Sequence, residues 1–251
     1  MKKILLSICV MASMASVVSC DDGYDSSMGF YDPSYSVALV TVKQTEEKDC
    51  YLQLDDFTTL YPTNFKGSPF GDKEVRALVN YFYLDGEAGV YNRNIFVNWI
   101  DSIRTKSTVV SLGNSESDAE AYGDDPIEIV NDWCTIAEDG YLTLRFRILS
   151  NYTGRTHYLN MVTNVDPYDP YTVELRHDAT GDVSGKPADG LIAFNLGELP
   201  DTNGKTVKLT LKWSGYEADK SVTFDYCTRK STNANLSGRP IDVQSLTAKV
   251  E

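Results

Sequence analysis

Glu138-Asp139-Gly140-Tyr141-Leu142-Thr143-Leu144-Arg145-Phe146-Arg147-Ile148 is the stretch that decides the fold. After an Asp-Gly pair the chain alternates strictly. Leu142, Leu144, Phe146 and Ile148 fall on one side of an extended backbone, and Tyr141, Thr143, Arg145 and Arg147 on the other. A period of two marks a strand with one buried face, and the Glu-Asp-Gly ahead of it marks a hairpin turn. The pattern recurs downstream. Val207, Leu209, Leu211 and Trp213 oppose Lys208, Thr210 and Lys212, with Asn203-Gly204 as a second hairpin turn. Val222, Phe224 and Tyr226 oppose Thr223 and Asp225. Such runs predict seven antiparallel strands, near 127–136, 141–149, 156–163, 171–177, 190–196, 205–213 and 220–228. Seven is the count of an immunoglobulin-like β-sandwich.

Upstream, residues 35–112 read as a smaller unit. Strands are expected over 37–42 and 50–54, then over 75–84 (VRALVNYFYL), which is apolar on both faces. Asp85-Gly86 turns this run, and 94–105 (NIFVNWIDSIRT) returns. Pro62 and Gly67-Ser68-Pro69 place a loop between the second and third strands. Four or five short strands suit a small closed barrel. No segment of ten or more residues carries a helical period, so the chain reads as all-β. Between the two blocks, residues 113–126 hold five acids and no base. They are expected to be a solvated acidic linker, because the spacing lacks the alternating ligands and final Glu of an EF-hand.

The N-terminus is a signal. Lys2 and Lys3 precede an apolar run over 4–18, and Val17-Val18-Ser19-Cys20 follows. A basic start, a short apolar core and a small residue before the cut describe secretion, and a cysteine at the cut describes a bacterial lipoprotein lipidated at Cys20. The run is shorter than the ~20 residues that span a bilayer. An ordinary signal cut after Ala12 or Ala15 is the alternative. The layout is thus a signal peptide over 1–19, an acidic tether over 20–34, an OB-like barrel over 35–112, a linker over 113–126 and a sandwich over 127–251. The tether's opening Asp21-Asp22-Gly23 resembles the export tag of surface lipoproteins. The expected location is the outer membrane, with the cell surface favoured over the periplasmic leaflet.

Charge and chemistry narrow the function. The full chain carries a net charge of −13, and residues 1–19 contain two lysines and no acid, so the processed chain carries −15. That balance excludes a nucleic-acid partner, which would need clustered Lys and Arg. Of five cysteines, Cys50, Cys134 and Cys227 remain beyond Cys20. They are expected to be free or buried, with a Cys134–Cys227 disulfide as the alternative in an exported chain. The only histidines, His157 and His177, fall in strands and read as structural. No G-x-S-x-G elbow is present, and Gly204-Lys205-Thr206 lacks the upstream glycine of a phosphate loop. No ligand spacing suggests a metal, and no cofactor is implied. The doubled Asp-Pro-Tyr of Asp166-Pro167-Tyr168-Asp169-Pro170-Tyr171 is the candidate binding loop. Proline stiffens it, and Tyr168 and Tyr171, with Asp169 between them, could present rings to a glycan or a peptide.

Three features together resemble the NigD-like lipoproteins of Gram-negative anaerobes. They are the signal ending at Cys20, the barrel-sized block closing on NIFVNWIDSIRTK (94–106), and IEIVNDWCTIAEDGYLTLRF (127–146). The resemblance spans the processed chain. It implies an N-terminal OB-fold barrel and a C-terminal β-sandwich, but no established activity, so only Cys20 is carried over. The family's link to a bacteriocin gene neighbourhood implies an immunity or receptor role as one alternative. The expectation is a membrane-anchored, non-catalytic binding or accessory lipoprotein with a glycan or protein ligand. An envelope hydrolase with an unrecognised site is the competing class.

Overall fold

The computed structural model describes residues 36–55, 57–152, 154–229, 248 and 250–251. Everything expected of residues 1–34, including lipidation of Cys20, lies outside them.

The first block is a closed five-stranded barrel made of β1 (Ser36–Gln44), β2 (Cys50–Gln53), β3 (Thr59–Pro62), β4 (Val75–Leu84) and β5 (Arg93–Ser102), in the order β1-β2-β3-β5-β4. β1 and β4 pair antiparallel and close the ring, while β3 and β5 pair parallel. A register shift between Asn80 and Tyr81 leaves a bulge in the long β4–β5 ladder. Bulges bend and twist strands, which lets ten-residue strands curl into a small barrel. β3 was expected to be loop. Pro62 is its last residue, where a missing N–H interrupts no further ladder.

β1 and β4 are buried on both faces for a reason. Ala38, Val40, Val42, Ala77, Val79 and Tyr81 fill the barrel interior. The alternate residues Leu39 and Leu78 point outward into a second cluster with Ile103, Trp133, Cys134, Ile136 and Ala193. Strands covered on both sides lose polar alternation and read as continuous apolar runs. The outer cover here is the sandwich.

The chain passes from barrel to sandwich with no linker. Only Ile103 separates β5 from β6 (Arg104–Ser107), and β6 already pairs parallel with a sandwich strand. The expected barrel boundary at 112 therefore moves back to about Ile103. β7 (Val109–Val110) joins the other sheet.

Residues 113–126, expected as a solvated linker, instead contain a helix, α1 (Ser115–Tyr122), and are folded against the sandwich. Their acids are hydrogen-bond acceptors for the scaffold. Asn114 caps α1 through the Ser117 amide. Buried Asp118 accepts from Ser111 Oγ at 2.6 Å and the Leu112 amide at 2.7 Å. Asp124 accepts from Arg176 at 2.8 Å, and Asp125 from the Ala179 amide at 2.8 Å. Gly123 has a φ of +90°, and a Cβ there would lie 2.3 Å from the carbonyl oxygen of His177. Only glycine fits that approach.

The sandwich comprises two five-stranded sheets. β6, β13 (Lys186–Asn195), β10 (Tyr141–Ser150) and β8 (Glu128–Val130) form one in that order, with β9 (Ile136–Glu138) also pairing β10. β15 (Asp219–Tyr226), β14 (Val207–Ser214), β12 (Thr172–Asp178), β11 (Tyr158–Thr163) and β7 form the other. Leu142, Leu144, Phe146 and Ile148 enter the core between the sheets with Leu209, Leu211 and Trp213, as the alternation predicts. Two expectations change. The described sandwich has ten strands rather than seven, and β6–β13, β7–β11 and β12–β14 pair parallel. Asp139-Gly140 does turn the β9–β10 hairpin, with positive φ at both residues. Asn203-Gly204 has the same backbone signature but leads from β13 to β14, which lie in different sheets.

Candidate functional site

The proline-stiffened loop does not hold its aromatic rings together. Tyr168 is 95 % exposed. Tyr171 packs on the sandwich core, its ring centroid 6.4 Å from that of Tyr226, and its hydroxyl donates to the Pro200 carbonyl at 3.2 Å. The Asp169 carboxylate accepts from the Tyr171 amide at 3.0 Å and Thr172 Oγ1 at 2.8 Å. Asp169 and Tyr171 thus brace the start of β12, and Tyr168 stands alone. The reason is turn chemistry: an Asp two residues before an amide caps its own loop.

The two histidines come together unforeseen. Nδ1 of His157 and Nε2 of His177 are 2.9 Å apart, with the rings stacked at 5.2 Å. Both are buried. Asp182 Oδ2 lies 3.5 Å from His157 Nε2 and accepts from Ser150 Oγ at 2.8 Å. In an activated serine the hydroxyl would donate to the imidazole; here it donates to the carboxylate. Burial first, then His157, lowers the pKa of His177. The pair joins three segments: His177 Nδ1 is 3.3 Å from the Pro126 carbonyl, and the Glu251 amide donates to the His157 carbonyl at 3.0 Å.

Other buried charges also serve the scaffold. Arg76 of β4 is fully buried and bonds to Thr41 Oγ1 at 2.8 Å, to Thr143 Oγ1 at 3.3 Å and to the Glu138 carboxylate. Glu138 and Thr143 belong to the sandwich, so this knot spans the junction. Lys43 pairs with Asp139 at 2.8 Å beside it. Glu74 accepts from Tyr141 Oη at 2.7 Å and Arg229 at 2.6 Å. Burial alone would raise the Glu74 carboxyl, but the Arg229 and Tyr141 hydrogen bonds hold it below its ordinary value. On the far face of β10, Arg147 and Arg145 both clasp Asp189, and the Arg147 bonds lead in holding that carboxyl low. Cys50, Cys134 and Cys227 are all free and buried, so no Cys134–Cys227 disulfide exists. Cys134 sits in the junction cluster and Cys227 lies 3.5 Å from Thr202 Oγ1. Burial pushes the Cys50 thiol up to about 11. Among the described residues no group of three His, Cys, Asp or Glu is placed to hold a metal ion.

An open aromatic surface lies on the barrel instead. Leu52 and Leu60 face each other across β2 and β3 inside the barrel, which turns their neighbours Tyr51 and Tyr61 outward. Tyr91, from the β4–β5 loop, lies across both. Its ring is 5.2 Å from Tyr61 with planes 9° apart, and 5.5 Å from Tyr51 with planes 31° apart. The loop is fixed, since Asn92 Oδ1 accepts from the Thr59 amide at 2.7 Å and its own amide donates to the Thr59 carbonyl at 3.1 Å. Sequence reading missed this trio because its members lie on three separate segments. The outward positions flanking Leu52 and Leu60 are a signal only once β3 is recognised.

Residues 39–103 match the model of the NigD-like N-terminal OB domain, and residues 108–226 that of the NigD-like C-terminal β-sandwich domain. The chain belongs to the NigD-like family. A protein of Parabacteroides distasonis labelled toxin-related is 32 % identical over 77 % of this chain and 94 % of its own, with a TM-score of 0.64. A NigD-like immunity protein of Bacteroides caccae is 21 % identical over 77 % and 93 %, with a TM-score of 0.52. A protein of Bacteroides fragilis labelled a lipoprotein is 13 % identical over 79 % and 99 %, with a TM-score of 0.51. The last two share the fold. No curated protein matches the chain. Among the described residues no helix is long and apolar enough to cross a membrane.

Proposed function

We propose that this NigD-like protein is a lipid-anchored cell-envelope protein that binds rather than catalyses. It is held in the outer membrane through Cys20 and faces the cell surface. The observation that carries the non-catalytic reading is where the buried charges go. Arg76, Glu138, Asp118, Arg176, Asp182 and Asp189 bond to groups of their own scaffold, in knots that join barrel, helix and sheets. Structural ion pairs of this kind perturb titration without forming an active site. The signal preceding Cys20 supports the anchor, and the lipoprotein of Bacteroides fragilis with the same fold is consistent with it. Its acidity argues against a nucleic-acid ligand and leaves a glycan or a protein. Fractionation tests the anchor: a Cys20→Ala variant should leave the membrane fraction, and its retention there would refute the reading. Protease shaving of whole cells tests the side, since an intact protein would place it on the periplasmic leaflet.

The Bacteroides caccae relative's description as an immunity protein favours a second reading, protection against a bacteriocin. Cells lacking the gene would then be more sensitive to that toxin than cells carrying it. Equal sensitivity would remove this reading.

A further inference from the structure

We infer that the outer face of the barrel at Tyr51, Tyr61 and Tyr91 is a binding platform for an uncharged saccharide. The inference rests on the reading of the protein as a binding lipoprotein and names its site and ligand class.

Three observations carry it. The first is the surface itself. Three half-exposed tyrosines from β2, β3 and the β4–β5 loop are joined into one aromatic patch by Tyr91, and none of their hydroxyls has a hydrogen-bond partner among the described residues. Tyrosine offers an apolar ring and a polar tip, which suits a ligand that has both carbon-bound hydrogens and hydroxyls. The second is rigidity. Asn92 is locked to Thr59, so the loop carrying Tyr91 is in place before any ligand arrives. Preorganised sites spare the cost of ordering on binding.

The third is charge. Lys43, cross-strand partner of Tyr51, is bonded to Asp139, and Arg229 is bonded to Glu74. Lys48 in the β1–β2 loop faces Asp72. These three cations each face a carboxylate, Asp49 lies near Tyr91, and Glu46 and Glu47 stand exposed in the same loop, while the exposed Arg93 turns its guanidinium over the Tyr83 ring, 5.9 Å from its centroid. The exposed carboxylates of Glu46, Glu47 and Asp49 on this side disfavour phosphate, sulfate and uronate groups. Strands 2 and 3 of an OB barrel, with the adjoining loops, are also a surface that can accept oligosaccharides.

The test is affinity electrophoresis of the purified chain in gels containing neutral polysaccharides (laminarin, pullulan, mannan, arabinoxylan), with heparin and polygalacturonate as anionic probes. At least one neutral polymer should retard the chain. Tyr61→Ala and Tyr91→Ala should each weaken that binding by about threefold to tenfold, the range a lost aromatic contact is worth. Tyr91→Phe keeps the ring and should retain most of the binding, and Tyr168→Ala should retain all of it. Thermal melting verifies that each variant is folded. No retardation by any neutral polymer would overturn the inference, as would stronger binding to the anionic ones, or binding unchanged in folded Tyr61→Ala and Tyr91→Ala. Fractionation of Cys20→Ala is unaffected by these outcomes, so the anchor and the platform fail separately.

Discussion

Replacing Arg76 by methionine should destabilise the whole protein, not the barrel alone. The guanidinium is fully buried between the barrel and the sandwich, where it answers Glu138, Thr41 and Thr143. Methionine fills most of the same volume, so the cavity contribution is small. What remains is a buried Glu138 carboxylate that has lost Arg76, and breaking such a pair costs about 3–5 kcal/mol. Against a typical total of about 5–15 kcal/mol that is a large share. For a folded unit of this size, roughly 2–4 °C per kcal/mol makes a fall in Tm of about 6–20 °C. The double variant Arg76→Met/Glu138→Leu removes both charges and should recover most of the loss, because well-packed apolar replacements of buried pairs are often neutral. The assay is urea unfolding followed by tryptophan fluorescence as a double-mutant cycle. Trp99 and Trp133 pack in the junction cluster and Trp213 in the sandwich core, so the signal covers both regions. A single-variant loss below about 1 kcal/mol would refute the reasoning. So would two separate unfolding transitions in the unmodified protein, which would make barrel and sandwich independent.

Further perturbations test other joints. Gly123→Ala should cost more than about 3 kcal/mol in denaturant unfolding, since a strained positive φ is compounded by a Cβ driven into the His177 carbonyl; a loss under about 1 kcal/mol would mean the loop relaxes freely. Stability should be full above about pH 6.5 and fall as the pH drops below it. His177 has a lowered pKa in the fold, so the unfolded chain binds more protons there; His177→Gln should flatten this slope, and an unchanged slope would point elsewhere. Glutamyl endopeptidase should leave 113–126 uncut in the native protein despite Glu116 and Glu120, whereas Asp118→Ala, which frees Ser111 and Leu112, should open it to cleavage. Rapid native cleavage would restore the linker.

Much of the fold was legible where one physical rule acts alone. Leu142 to Ile148 alternate because one face of β10 meets the core, and that pattern survives any arrangement of neighbours. The errors arose where a residue's partner is distant in sequence. The acids Asp124 and Asp125 look solvated because Arg176 and Ala179, which bond to them, are 52 and 54 residues away. β3 is four residues long and ends in proline, too short for a period to emerge. Asp169 and Tyr171 pointed to a ligand because nothing in the sequence shows that Thr172 and Pro200 occupy their polar atoms.

The junction also explains which surface is left for binding. A five-stranded barrel has a limited outer wall, and here Leu39 and Leu78 commit the β1–β4 side to the sandwich, with Arg76 bonded across it to Thr143 and Glu138. The wall built by β2 and β3, on which Tyr51, Tyr61 and Tyr91 gather, stays open, as does the part of β4 and β5 that carries Tyr83 and Phe96. Lys43 lies at the boundary between the two sides, paired across β1–β2 with Tyr51 and reaching Asp139 of the sandwich hairpin. Fusion and recognition are thus consequences of one partition of the barrel surface. The sandwich buries the apolar wall and draws Lys43 into an ion pair with Asp139, leaving the tyrosines of β2 and β3 open.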